Sequence, residues 1–137
     1  MTAAPSRARP EPARSHASGL TRHEEERLEE KLLTLREELR ARHELHVAPA
    51  RDGDGDEPDP LDRAALAQDH AISLEIAERE LGLLSEIDAA LARIEAGEYG
   101  VCEGTGEPIG WKRLEAQPWT RYSIGYMETL EKEAHNR

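Results

Sequence analysis

Apolar residues recur with helical spacing in the first half of the chain. The leucines separated by four, three and four positions are Leu28, Leu32, Leu35 and Leu39. This is the spacing of a coiled-coil seam, and Thr21 followed by Glu24 has the sequence of a capping box before it. The next two seam positions are occupied by Arg42 and His46, so the apolar pattern stops there. The pattern predicts a helix from Leu20 to about Val47.

A second stretch of helical period follows a polar turn. The turn, residues 48–58, mixes proline and glycine with acids and ends at Asp59, which is expected to cap the new helix. Pro60 suits the first helical position and Gly97 the stop, so the predicted helix runs from Pro60 to Ala96. The residues expected on its buried face are Ile72, Ile76, Leu83 or Leu84, Ile87, Leu91 and Ile94.

These elements predict a mainly α fold. Two long helices joined by a short turn most simply pack as an antiparallel hairpin, although an intermolecular coiled coil stays open as the alternative. From Glu98 onward aromatic residues alternate with glycines, which predicts a small lobe with a short closing helix from Met127 to about His135. The expected organisation is a disordered basic tail over 1–19, a coiled-coil helical hairpin over 20–96 with its tip at 48–64, and the lobe over 97–137.

Composition narrows the classes of function. With 137 residues, no phenylalanine and 4% aromatic residues, the chain has little material for the deep pocket of a compact enzyme. A net charge of −11 repels phosphate backbones, so sequence-specific nucleic-acid binding is disfavoured and a basic protein surface is the more natural partner. One cysteine fits the reducing cytoplasm, and no run reaches the roughly 18 apolar residues of a membrane span.

The acidic sequence DPLDRA at residues 59–64 stands at the predicted hairpin tip. An acid before proline, with another acid in the first turn, is ordinary chemistry for the start of a helix. Capping alone would account for Asp59 and Asp62. A role in binding a partner is the alternative, and the remaining motifs bear on it.

Motifs in the last third of the chain resemble the zinc-finger lobe of the DksA/TraR family. They are EYGVCE at residues 98–103, PIG at 108–110, RLEA at 113–116 and Pro118. The resemblance extends without a gap back to DPLDRAA at residues 59–65 and covers roughly residues 57–137.

The resemblance implies a protein that binds bacterial RNA polymerase. Members of this family insert a coiled-coil hairpin into the secondary channel, so that the tip approaches the active site and alters initiation. Carried over, Asp59 and Asp62 are the tip acids, Ala64 is the small residue beside them, and Arg79 is a polymerase contact on the second helix. The expected protein is a monomeric, cytoplasmic, non-catalytic transcription regulator of the stringent-response type.

The chain departs from the family at the zinc ligands. The four cysteine positions of the finger are occupied by Cys102, Thr105, Ser123 and Tyr126. One thiolate with two hydroxyls and a phenol is not a tetrahedral zinc set, so a lobe without metal or other cofactor is expected. The side chains expected to fill its core instead are Trp111, Trp119, Ile124 and Tyr126.

A second departure concerns the family's nucleotide effector, guanosine tetraphosphate, which basic residues bind in DksA-like members. The matching positions here are Glu86, Gln117 and Met127, so weak or absent synergy is expected. The alternative function is a coiled-coil adaptor that docks another basic partner. Stimulation of transcript cleavage by a magnesium ion held at the tip acids is disfavoured, because the lobe does not resemble that of cleavage factors.

Overall fold

The computed structural model describes residues 17–48 and 57–137. Its helices are α1 (Arg22–Val47), α2 (Pro60–Ala96), α3 (Trp111–Ala116) and α4 (Ile124–His135). The chain divides into two compact units, one made of residues up to Thr34 together with Glu86–Arg137 and the other of Leu35–Ser85. The predicted fold class, mainly α with long helices and a small C-terminal lobe, is confirmed.

Local chemistry sets the start of α1 within two residues of its predicted position, and both ends of α2 where the sequence predicted them. The capping box before α1 is formed, because the Thr21 amide donates to Glu24 Oε1 at 2.9 Å and the Glu24 amide donates to Thr21 Oγ1 at 3.1 Å. At the start of α2 the Asp62 amide donates to Asp59 Oδ1 at 2.7 Å. Gly97, at φ 75°, ends α2 in the left-handed conformation that glycine tolerates.

The unit Leu35–Ser85 pairs the second half of α1 with α2. Leu39 and Ala77 are buried, and Glu80 is buried beside them at 7% exposure. The Glu80 carboxylate is paired across the helices, since His46 Nδ1 lies 2.6 Å from its Oε1 and His43 Nδ1 lies 3.8 Å from the same atom. Where the leucines of α1 end, His43 and His46 face α2; the predicted seam position Arg42 is exposed instead.

The predicted buried face of α2 is wrong in this unit. Ile72 and Ile76 are 48% and 38% exposed, and Ala77 and Glu80 take the buried positions. From Pro60 to Ile72 every residue of α2 is exposed. The cause is that α1 ends at Val47, one residue after the histidine that contacts Glu80, so these first turns of α2 meet no other described helix.

The other unit holds the leucine core and the C-terminal lobe. Leu28, Leu32 and Ile87 are buried, and in the lobe Leu114 and Tyr99 are buried as well. The Tyr99 hydroxyl donates to the carbonyl of Pro118 at 2.7 Å, and burial raises the pKa of this phenol well above its ordinary value. An isolated antiparallel bridge between Val101 and Pro108 closes the first loop of the lobe.

The expected aromatic core of the lobe is wrong. Its fully buried side chains are those of Tyr99, Cys102, Leu114 and Pro118. Trp111, Trp119 and Tyr126 are half-buried and Ile124 is exposed. The reason is the length of the closing helix, which begins at Ile124 rather than near Met127 and turns that isoleucine outward.

Two regions predicted from the sequence lie largely outside the residues that the structure describes. The expected tail lies mostly in residues 1–16, and most of the expected acidic turn lies in residues 49–56; both stretches are outside the described residues. The predicted domain boundaries accordingly remain predictions. None of the helices in the described ranges is long and apolar enough to cross a membrane.

Two glycines should respond in opposite directions to alanine. At Gly82, inside α2, an added Cβ meets nothing within 4 Å, so Gly82→Ala should raise the free energy of unfolding by up to ~1 kcal/mol through helix propensity. At Gly100, φ is +86° and a Cβ would lie 2.8 Å from Ser18 Cβ and 2.9 Å from Leu20 Cδ1. Gly100→Ala should lower stability by about 1–3 kcal/mol. Urea unfolding of both variants checks the signs, and equal effects would contradict this packing.

Candidate functional site

The acidic start of α2 is exposed and ordered by its own backbone. Asp59, Asp62 and Ala64 are all exposed. One oxygen of Asp59 accepts the Asp62 amide, and the Asp59 carbonyl accepts the Arg63 amide at 2.9 Å. Neither Asp59 nor Asp62 forms an ion pair with another described residue. The first turn therefore presents two carboxylates at the positive end of the helix, with alanine alongside.

A shallow groove runs beside this turn. The residues that line it are Glu57, Pro58, Asp62, Ala65, Leu66 and Asp69. It combines carboxylates with short apolar side chains, which suits contact with a basic protein surface. The cap and a partner-binding role are compatible, because capping uses one oxygen of Asp59 and the backbone of Asp62.

Arg79 is exposed on the same helix but is not close to the acidic turn. It follows Asp62 by 17 positions, which corresponds to about 25 Å along the helix axis. It directly precedes the buried Glu80. The helix therefore exposes two separate charged regions, an anionic one at its start and a cationic one near its middle.

The four zinc-finger positions come together in the lobe. Ser123 Oγ donates to Cys102 Sγ at 3.6 Å, and the Tyr126 amide donates to Ser123 Oγ at 3.3 Å as the cap of α4. The Tyr126 ring packs against the backbone of the loop between Cys102 and Thr105, since a Cβ added at Gly104 would overlap that ring. The loop and the start of α4 thus meet around one thiol.

The thiol of Cys102 has a perturbed acidity. It is 1% exposed, and burial by itself raises its pKa. Hydrogen bonds from the side chain of Thr105, from the backbone and hydroxyl of Ser123, and from the backbone of Thr105 outweigh burial and lower the pKa to about 6. No local sequence pattern indicates this lowered pKa, because no cation or long-helix start adjoins Cys102 and half of the donors lie 21 positions away.

The three positions matched to nucleotide binding line one cavity of about 530 Å³. Glu86, Gln117 and Met127 share its wall with Arg113 and Arg121. The Arg121 guanidinium is paired with two carboxylates of the protein, since it donates to Glu86 Oε2 at 2.8 Å and to Glu103 Oε1 at 3.3 Å. The hydrogen bond to Glu86 raises the pKa of Arg121.

The sequence reasoning missed two arginines that order this cavity and its surroundings. Arg121 bridges carboxylates that are 35 and 18 positions away. Arg93 donates to the carbonyls of Trp119 and Thr120 at 3.3 and 3.4 Å, and burial lowers its pKa. No local pattern marks either residue, because their partners are distant in sequence.

Fold and site together define a class: proteins with two long helices, the second with an acidic first turn, and a small finger-type lobe at the C-terminal end of the sequence. Two family descriptions match the chain. Residues 24–94 match the N-terminal domain of the DnaK suppressor protein DksA, and residues 97–125 match the prokaryotic dksA/traR C4-type zinc finger. The chain belongs to the DksA/TraR family.

Individual relatives agree. The chain is 39% identical over 107 residues to the RNA polymerase-binding transcription factor DksA of Caulobacter vibrioides (strain NA1000 / CB15N), which covers 78% of this chain and 75% of that protein. It is 36% identical over 83 residues to the same-named factor of Escherichia coli (strain K12), covering 61% and 55%. The solved structure of transcription factor DksA2 from Pseudomonas aeruginosa is similar at a TM-score of 0.74 and 35% identity, covering 83% of this chain and 88% of that one.

The expectation that the lobe has no cofactor is corrected by the family match. Residues 97–125 belong to a finger described as C4-type, and a finger of that type is a zinc-binding unit. The groups assembled here fit a four-ligand site poorly, since only Cys102 is a usual zinc ligand and the described residues contain no group of three or more His, Cys, Asp or Glu placed to hold a metal.

The Cys102 thiol should titrate near pH 6. Following the ultraviolet absorbance of the thiolate in chelator-treated protein should give a midpoint of about 6, against an ordinary value of 9.0. Because the folded-state pKa is lowered, the ionised thiol contributes stability that is full above the ordinary value and is lost as the pH falls towards 6. Thr105→Val should raise the midpoint, and Cys102→Ser supplies the blank. A midpoint near 9 in the wild type would contradict the hydrogen-bonded arrangement.

Proposed function

We propose that the protein is a transcription factor that binds bacterial RNA polymerase through the secondary channel. The start of α2 approaches the polymerase active site and changes the lifetime of initiation complexes, and the protein catalyses no reaction itself. Its relatives in Caulobacter vibrioides and Escherichia coli are named as RNA polymerase-binding transcription factors, which supports the polymerase as partner and a role other than that of an enzyme.

The observation that carries the proposal is the exposed acidic first turn of α2. A negative probe suits a channel that admits anionic substrates and contains a magnesium site, because such a channel is lined with positive charge. Asp62 presents its carboxylate there, and Ala64 keeps the adjoining surface small enough for close approach. Pairing the two acids within the protein would have removed this charge, and no described ion pair does so.

Arg79 supplies a second contact of opposite sign. It is exposed about 25 Å from the acidic turn along one continuous helix. The helix therefore holds the two contacts at a fixed separation. A partner must therefore present basic and acidic patches at that separation. This requirement restricts the partner more strongly than the net charge of −11 does.

The cavity around Arg121 supports weak dependence on guanosine tetraphosphate. Two arginines face two carboxylates in and beside it, Glu86 and Glu103, so it offers little net positive charge to a polyanion. Gln117 and Met127 add none. The effect on transcription should accordingly arise from the protein alone.

Removing the negative charges of Asp59 and Asp62 while keeping the helix cap should show whether these acids act on transcription or only cap α2. Asparagine caps helices as well as aspartate does, so Asp59→Asn/Asp62→Asn should fold like the wild type by circular dichroism. The variant should still bind core RNA polymerase but lose most of the shortening of open-complex lifetime at a ribosomal-type promoter. Glu38→Gln/Glu44→Gln, an equal loss of two charges at exposed α1 positions, is the matched control.

The outcomes of this experiment separate the two candidate functions. A tip variant with full effect on open complexes would contradict the role of the acids. If neither wild type nor variant binds the polymerase, the protein is instead an adaptor for another basic partner.

Adding cations to the cavity should create nucleotide synergy. We expect guanosine tetraphosphate to change the wild-type effect on transcription little, and to enhance that of Gln117→Lys/Met127→Lys at least several-fold, because two new cations face the polyanion. Gln117→Asn/Met127→Leu is the uncharged control. The measurement is promoter output with and without the nucleotide. Wild-type enhancement as large as that of the lysine variant would contradict the charge argument.

A further inference from the structure

α2 carries an apolar face that α1 does not cover. Ile72 and Ile76 are 48% and 38% exposed, while the face that meets α1 is marked by the buried Ala77 and Glu80. Successive helix residues are rotated by about 100°, so the two faces are separated by roughly a quarter turn. The exposed face is therefore distinct from the face that α1 contacts, and it remains accessible while α1 is bound.

The exposed face has the spacing of a second coiled-coil seam. Its positions, at alternating separations of four and three, are Ala65, Asp69, Ile72, Ile76, Arg79 and Leu83. Leu83 is half-buried and the others are exposed. A central pair of isoleucines is flanked by one acid and one base, in a stretch of about 27 Å.

This seam is complementary to itself when two copies run antiparallel. With a two-fold axis at the level of Leu74, Ile72 of one chain faces Ile76 of the other. Asp69 then faces Arg79 of the other chain, twice by symmetry, and Ala65 faces Leu83 at the ends. A parallel arrangement would instead set Asp69 against Asp69 and Arg79 against Arg79, so the charges select the antiparallel register.

We propose that α2 binds a second copy of this chain through this seam. The partner is a second copy because the pattern of charge and apolar positions matches itself, with opposite charges symmetric about the isoleucines. The interaction is weak and depends on concentration, because a single helix pair of this length lies at the small end of protein interfaces. Glu75 comes near its own copy beside the axis and further limits the affinity.

This dimer differs from a coiled coil made by opening the hairpin. The pairing of Glu80 with His43 and His46 stays intact, since it uses the other face of α2. The monomer expected from the sequence is then the form at low concentration. Self-association can be measured without polymerase, so the result is independent of the proposed function.

Charge reversal gives a direct test by sedimentation equilibrium of the full chain, with reductant present because Cys102 is free. Wild type should show a dimer fraction that grows with concentration. Asp69→Arg and Arg79→Asp should each be monomeric, because each sets like charges face to face. An equimolar mixture of the two variants should regain at least half of the wild-type dimer fraction, as each variant then faces opposite charges in the other.

Glu78→Arg is the matched control. It reverses a charge on an exposed α2 position outside the seam and should leave the dimer fraction within twofold of wild type. Because Asp69 and Arg79 are exposed, their substitution should leave the helix content unchanged. Circular dichroism of all variants checks this. The proposal is overturned if wild type stays monomeric at every concentration, or if the mixture of the two reversed variants stays monomeric while wild type dimerises.

Discussion

The buried carboxylate of Glu80 decides which face of α2 meets α1. Withdrawing an unpaired carboxylate from water costs several kcal/mol, so this position is tolerable only where a partner reaches it. His46 Nδ1 lies 2.6 Å from Glu80 Oε1 and His43 Nδ1 lies 3.8 Å away, both from the last turns of α1. A polar contact, with a hydrogen bond between His46 and Glu80, therefore replaces leucine packing at the point where the leucine seam of α1 ends.

The orientation of α2 about its own axis determines which of its side chains are exposed in the unit Leu35–Ser85. With Ala77 and Glu80 turned towards α1, Ile76 lies beside this contact and stays 38% exposed, and Ile72 lies beyond the end of α1 and is 48% exposed. The two partly exposed isoleucines form a small apolar patch at seam spacing on this helix. The same constraint that closes the pair of helices thus creates the surface on which a further molecule can dock.

Much of this fold follows from local sequence, and the parts that do not are tied together over long distances. Asp59 and Gly97 set the ends of α2 through groups within one turn, which a sequence displays directly. The buried face of α2 was predicted wrongly because the apolar pattern favours the isoleucines, whereas the partner of Glu80 lies 34 positions away. The acidity of Cys102 likewise depends on Ser123, which folding alone brings near.

Substitutions at different exposed residues of α2 differ in how clearly they test the proposed function. Arg79 belongs both to the proposed polymerase contact and to the proposed seam between copies, so the two partners compete for it. Asp62 lies outside the seam, and Ile76 has a role only within it. A loss of transcriptional effect on changing Arg79 therefore has two explanations. The same loss on changing Asp62 has one, because that change leaves the seam and its charges as they were.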